Sequence, residues 1–223
     1  MQLSRAQFDQ HLSRGTLKIA FIGMSNIGKS YLSKILETTA SFTRIDVDKA
    51  IEAALGLGSM DAMAAWLGYP YENKHSANAK TYLRLEGEIS LAPASVQENS
   101  VLDTTGSIIH LPAQDQQDIK NQFLMVYLEA SQDDLSMLQE RYFRHPKPTI
   151  WAEALIDKLR QHVVGSKDKS KNDALLHYYP QLLQHRAKLY RQLSDVTIPA
   201  AQFTNASKDP SCIIGHIRAA LPA

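Results

Sequence analysis

The sequence predicts an α/β fold with a mainly parallel sheet covered on both faces by helices. Three observations carry that expectation. Short apolar runs, such as residues 16–22 (TLKIAFI) and 123–128 (FLMVYL), have the length and continuity of strands buried on both sides. Between such runs the apolar spacing becomes helical, as through Leu32, Ile35 and Leu36. Strands that alternate with helices imply crossovers, and crossovers place helices on the sheet faces.

Taken in order, residues 2–13 read as a short amphipathic helix through Leu3, Phe8 and Leu12. A strand at 16–22 runs into Gly23, and a helix follows at 29–39. A second strand is expected at 42–46. Residues 48–91 read as helices with breaks around 56–59 and 68–73, each opening on a glycine. Strands at 101–103 and 123–128, a helix at 132–142, a helix at 174–193, a strand at 195–198 and a C-terminal helix complete the pattern. Residues 141–148 (RYFRHPKP) combine cations with two prolines and read as a loop. Residues 164–173 (VGSKDKSKND) read as a mobile, lysine-rich surface segment. Both lie between the fourth and fifth strands, where a lid would sit. No repeat or low-complexity tract interrupts the chain, so residues 1–223 are expected to form one domain, with 1–15 as an N-terminal extension.

Composition narrows the function classes. A formal net charge of +1 supplies no field to draw nucleic acid or a membrane surface. The one cysteine, Cys212, cannot form an internal disulfide, which suits a reducing compartment. The polar N-terminus has no signal-peptide core, and no stretch approaches the ~20 apolar residues of a membrane span. A cytoplasmic protein acting on a small molecule is expected, without nucleic-acid or membrane partners; its oligomeric state is left open.

The most specific feature is Gly23-Met24-Ser25-Asn26-Ile27-Gly28-Lys29-Ser30, a complete G-x-x-x-x-G-K-S set between a strand and a helix. Glycines let the backbone curl so that successive N–H groups face phosphate oxygens, and the helix start adds its positive end. Gly23, Ser25, Asn26, Ile27, Gly28, Lys29 and Ser30 are thus the candidate nucleotide cradle, with ATP and Mg²⁺ as the expected ligands. Lys29 would reach the β- and γ-phosphates and Ser30 would ligate Mg²⁺. A chance turn capped by Ser30 is the plain alternative.

Acidic residues fall at expected strand ends. Asp46 and Asp48 form D-x-D, and alternation along an extended chain would point both to one side. One could hold Mg²⁺ through water while the other meets an acceptor hydroxyl; alternatively, Asp48 caps the helix expected from Lys49. Asp103, after Val101-Leu102, stands at the Walker-B position, where a carboxylate orients the metal or its waters. Arg186 lies inside the apolar stripe of helix 174–193, so it needs an anionic partner or a route to water. It reads either as a structural ion pair or snorkelling cation, or as an anion-binding group in a substrate pocket.

From Lys18 to Leu221 these residues resemble the shikimate kinase family, within the nucleoside-monophosphate-kinase-like P-loop proteins. IGMSNIGKSYLSKIL is similar to that family's P-loop and first helix, FTRIDVDKAIE to its second strand, and HRAKLYRQLSDVTI to its last helix and strand. The resemblance implies a three-layer P-loop sandwich with five strands in the order 2-3-1-4-5. It implies acceptor-binding helices over 48–92 and a lid and insertion over 141–173. It places Asp46 near Mg²⁺, Asp48 at the acceptor hydroxyl and Arg186 at a substrate anion. Lys147 takes the lid position of a family arginine, with Arg141 and Arg144 on the nucleotide side and Arg141 approaching the adenine. The family's substrate-binding glycine triplet appears as Thr105-Gly106-Ser107. In the run Tyr82-Leu83-Arg84-Leu85-Glu86, leucine stands where a carboxylate-binding arginine is expected. A one-residue slip turns a helical side chain by about 100°, so Arg84 does not replace it. The reading is therefore an ATP-dependent kinase with Lys29, Asp48 and Lys147 as catalytic groups, acting on a hydroxyl of a small anionic metabolite other than shikimate. A nucleoside or nucleotide kinase, and a silent nucleotide-binding regulatory module, are the alternatives.

Overall fold

A computed structural model describes residues 2–92, 97–145, 147–163, 168–204 and 209–223. Its centre is a five-stranded, all-parallel sheet of β1 (Lys18–Ile22), β2 (Thr43–Asp46), β3 (Ser100–Asp103), β4 (Leu124–Glu129) and β5 (Val196–Pro199). The order is β2-β3-β1-β4-β5, as expected. Every pairing is parallel, so the strands' carboxyl ends gather on one edge. Ligands of open α/β sheets bind at that edge.

The two-residue period of a strand divides the core. Ile19 and Phe21 of β1 join Leu124, Val126 and Leu128 of β4 on one face, while Ala20 and Ile22 join Met125 and Tyr127 on the other. The first face is covered by α1 (Arg5–Ser13), α2 (Lys29–Thr39) and, beyond the short α10 (Ala201–Thr204), α11 (Pro210–Ala219). The second carries α3 (Val47–Ala54), α4 (Met60–Leu67), α5 (Asn73–Leu91), α6 (Ala113–Gln122), α7 (Gln132–Arg144), α8 (Glu153–Val163) and α9 (Asp168–Leu193).

The N-terminal extension is bound into the fold. Ser4 and Gln7 form a capping box at the start of α1, and Phe8 is completely buried. Arg5 donates to the carbonyls of Leu221 and Ala219 at 3.1 and 3.0 Å, and Arg218 pairs with Asp9 at 2.7 Å.

Helices α6 and α8 lie outside the elements expected from sequence. The apolar content of α6 is too sparse to announce a period: Ile119 is its buried residue. Two expectations need correction. Residues 141–144 are not loop, because α7 continues to Arg144. Tyr142 stacks on Tyr179 of α9 with ring centroids 4.2 Å apart, which anchors this last turn. Likewise residues 168–173 are not a loose surface segment but the first turns of α9. Residues 164–167 of that expected segment lie outside the described residues. No helix among the described residues is long and apolar enough to cross a membrane.

Candidate active site at the carboxyl edge of the sheet

The loop between β1 and α2 requires glycine at two points. Gly23 has φ 144°, and a Cβ there would sit 2.9 Å from the Leu128 carbonyl oxygen. Gly28, at φ 115°, caps α2, and Asn26 also takes a positive φ of 66°. This curl points Lys29 back under the loop. Its Nζ donates to the carbonyls of Gly23 and Met24, both at 2.9 Å, and the side chain is buried. Burial lowers the Lys29 pKa to about 8, against the opposing pull of Asp103 and Asp48. Ile27, by contrast, packs against both hydrophobic clusters and supports the loop from below.

Asp46 and Asp103 face each other across β2 and β3. The Ser30 hydroxyl donates to Asp103 Oδ1 at 3.2 Å. Oxygen donors of this kind suit Mg²⁺, which keeps several of its waters and takes its other ligands from one or two protein oxygens and substrate phosphates. Arg44, not singled out in the sequence, reaches between the two carboxylates. Its Nη2 lies 2.8 Å from Asp46 Oδ2 and 2.5 Å from Asp103 Oδ2. A lone arginine in a short strand gives no local signal; only the pairing of β2 with β3 brings Asp103 to it.

The D-x-D geometry also differs from expectation. β2 ends at Asp46 and helix α3 starts at Val47, so Asp46 and Asp48 are not successive same-side positions of one strand. Asp46 is the helix cap, its Oδ1 accepting from the Lys49 N–H at 3.1 Å. Asp48 lies in the first turn of α3 and lines a cavity of about 230 Å³ with Ser25, Asn26, Gly28, Lys29, Ser30, Tyr31, Arg141 and Lys147. Burial raises the Asp48 pKa to about 6, with Lys29 and Lys147 pulling it down. Eight of the residues singled out from sequence thus meet in one cavity. Arg144 does not join them: it is largely exposed and pairs with Glu140 at 2.5 Å.

Behind Asp48 lies a closed polar network. The Tyr82 hydroxyl donates to Asp48 at 3.3 Å. Thr105 and Ser107 donate to the two oxygens of Glu86 at 2.5 and 2.6 Å, and their hydroxyls are 2.7 Å apart. Glu86 is fully buried, and burial lifts its pKa to about 7 despite the two hydroxyls. Gly106, between them, presents its carbonyl to Arg186 and to the Tyr190 hydroxyl. Arg186 is only 3% exposed, so it does not snorkel to water; its Nε has no partner among the described residues. A Cβ on Gly106 would lie 3.0 Å from Ser25 Oγ and 3.2 Å from Arg186, so glycine is what lets these groups close up. Leu83 is half-buried and Arg84 turns outward to Glu88 at 2.8 Å. Glu86 was legible as a charged residue four positions after Tyr82 on one helix face, yet its hydroxyl partners come from a distant strand end.

This arrangement, a parallel 2-3-1-4-5 sheet with a phosphate loop after β1, is that of the P-loop kinase fold. Among solved structures the chain is similar to shikimate kinases. The enzyme from Acinetobacter baumannii in complex with shikimate is 20% identical at TM-score 0.57, over 92% of this chain and 93% of the other. The one from Bacteroides thetaiotaomicron is 17% identical at TM-score 0.59, over 91% and 97%. That from Aquifex aeolicus is 16% identical at TM-score 0.54, over 90% and 93%. No protein-family model matches the sequence, and no curated protein matches it. The fold is therefore shikimate kinase-like.

Proposed function

We propose that this protein is an ATP-dependent kinase that transfers the γ-phosphoryl group to a hydroxyl of a small anionic metabolite. One observation carries the reading: Lys29, Ser30, Asp48, Arg141 and Lys147 converge on a single cavity whose floor is the glycine-rich loop. Backbone N–H groups of Gly23–Ser30 and the start of α2 would receive the phosphates. Lys29 is held by two carbonyls, and its charge is available to the β- and γ-oxygens once they arrive. Ser30 with Asp103 would hold Mg²⁺, which when bound draws charge from the β- and γ-oxygens.

Transfer breaks the bond between the γ-phosphorus and the bridging oxygen of ADP and forms a bond to the acceptor oxygen. The hydroxyl proton passes to Asp48. With a pKa of about 6, Asp48 is mostly ionised near neutrality yet close enough in basicity to take a proton in the transition state. Lys147 and Arg141 supply positive charge opposite the loop, and Arg186 supplies it behind the acceptor. The test is ADP release with Mg·ATP across a panel of hydroxylated carboxylates and phosphates. Turnover on one of them, lost in Lys29→Ala and Asp48→Asn, is the expected result. Tight ATP binding with no turnover on any acceptor would sink it in favour of a nucleotide-binding module, which the closed network of Glu86, Thr105 and Ser107 favours.

A further inference from the structure

We propose that Arg44 is the resident counter-cation of the phosphate site, holding Asp46 and Asp103 so that a divalent cation enters with the nucleotide rather than ahead of it. The inference rests on the Mg·ATP reading above. The oxygens of the two carboxylates are partitioned. Asp46 gives Oδ1 to the Lys49 N–H and Oδ2 to Arg44; Asp103 gives Oδ1 to Ser30 and Oδ2 to Arg44. Asp46 has thus committed both oxygens to protein donors. The metal-facing pair that remains is Ser30 Oγ with Asp103 Oδ1, whose mutual 3.2 Å bond is the longest of the four and the easiest to exchange.

The way Arg44 binds supports this role. An arginine paired with a single carboxylate frequently uses two nitrogens in parallel. Here one nitrogen, Nη2, bridges two carboxylates, while the buried Nε has no partner among the described residues. One N–H donor group of this delocalised cation, set between two converging carboxylates, occupies the kind of position a metal ion takes. Asp103 is nearly inaccessible and Arg44 itself is only 13% exposed, so solvent ions screen this pairing weakly. With Arg44 in place the three side chains sum to one negative charge rather than two. Lys29, which also feels Asp103, lowers the demand for a free cation further. When triphosphate oxygens arrive they add the negative charge and the ligands that a divalent cation needs, at Ser30 and Asp103 Oδ1.

The experiment is Mn²⁺ titration followed by electron paramagnetic resonance on the nucleotide-free protein, comparing wild type with Arg44→Gln and Arg44→Lys. Arg44→Gln is expected to bind Mn²⁺ more tightly by about 5- to 150-fold, the ordinary range for coupled sites, with Arg44→Lys close to wild type. Equal or weaker Mn²⁺ binding by Arg44→Gln overturns the proposal. Should that variant not fold, the wild type decides. The ¹⁵N side-chain signal of Arg44 should stay unmoved by millimolar Mg²⁺ alone, and a shift would overturn the proposal. Both measurements omit nucleotide. Failure of the Mg·ATP reading on which this rests would instead appear as no calorimetric ATP binding, and failure of phosphoryl transfer as no turnover; both are separate results.

Discussion

Lys29 is held inside the phosphate loop by two carbonyl oxygens and lies close to Asp103 and Asp48. Replacing it with alanine removes a charged contact worth about 1.5–3 kcal/mol, which is roughly a ten- to 150-fold weakening of ATP binding. Calorimetry with a non-hydrolysable analogue checks this, and unchanged affinity would exclude Lys29 from the nucleotide site. Glu86 makes a second residue-level case, through pH. Its folded pKa of about 7 lies above the usual 4.5, so between those values the folded chain holds more of this proton than the unfolded chain does. The resulting stabilisation is complete below about pH 4.5 and is lost as pH rises through 7. Glu86→Gln should therefore flatten the fall in melting temperature between pH 5 and pH 7.5 that wild type shows. A parallel fall in both would mean that Glu86 is ionised throughout. Leu83 supports a third expectation. With one carboxylate-binding cation missing and Thr105 and Ser107 closed over Glu86, shikimate should be a poor acceptor, by roughly ten- to 150-fold. ADP release at millimolar shikimate on the order of tens per second would contradict this.

Among the elements, the region from Arg141 to Asp173 divides into two kinds of segment. Helices α8 and α9 bury Leu155, Ile156, Leu159, Leu175 and Tyr179, so they should exchange amide hydrogens slowly with or without ligand. The linker around Lys147–Thr149 lacks helix hydrogen bonds, carries the Lys147 that lines the cavity and should gain protection when ATP and acceptor bind. Hydrogen exchange resolved to short peptides tests this; equal protection of the linker in both states would mark it as fixed. At the other end of the chain, α1 contributes Phe8 to the core beneath β1. Phe8→Ala should cost about 3–5 kcal/mol of stability by chemical denaturation. A loss under 1 kcal/mol would show that α1 is dispensable packing.

At the scale of the whole molecule, ligand binding to the folded form raises its stability by mass action. ATP at a hundred times its dissociation constant adds about 2.7 kcal/mol, which for a chain of this size is roughly 5–11 °C in melting temperature. The shift should vanish in Lys29→Ala. Strand and helix alternation and the glycine-lysine loop were enough to announce a parallel sheet and a candidate phosphate cradle, because those features are local or follow from crossover geometry; the strand order came from the resemblance to a known family and is the one observed. The loop's own backbone demands glycine at Gly23 and Gly28 whatever packs around it. What the tertiary structure decided are the groups whose meaning depends on distant partners. Arg44 gains its role when β3 brings Asp103 beside Asp46, and Glu86 when Thr105 and Ser107 close over it. Among the described residues Arg186 is bound to a backbone carbonyl rather than to an acidic partner, and Arg144 turns away to Glu140. Charged side chains are long and their pairings are settled by which elements meet, so a sequence can show that a cation is present but not which oxygen it will hold.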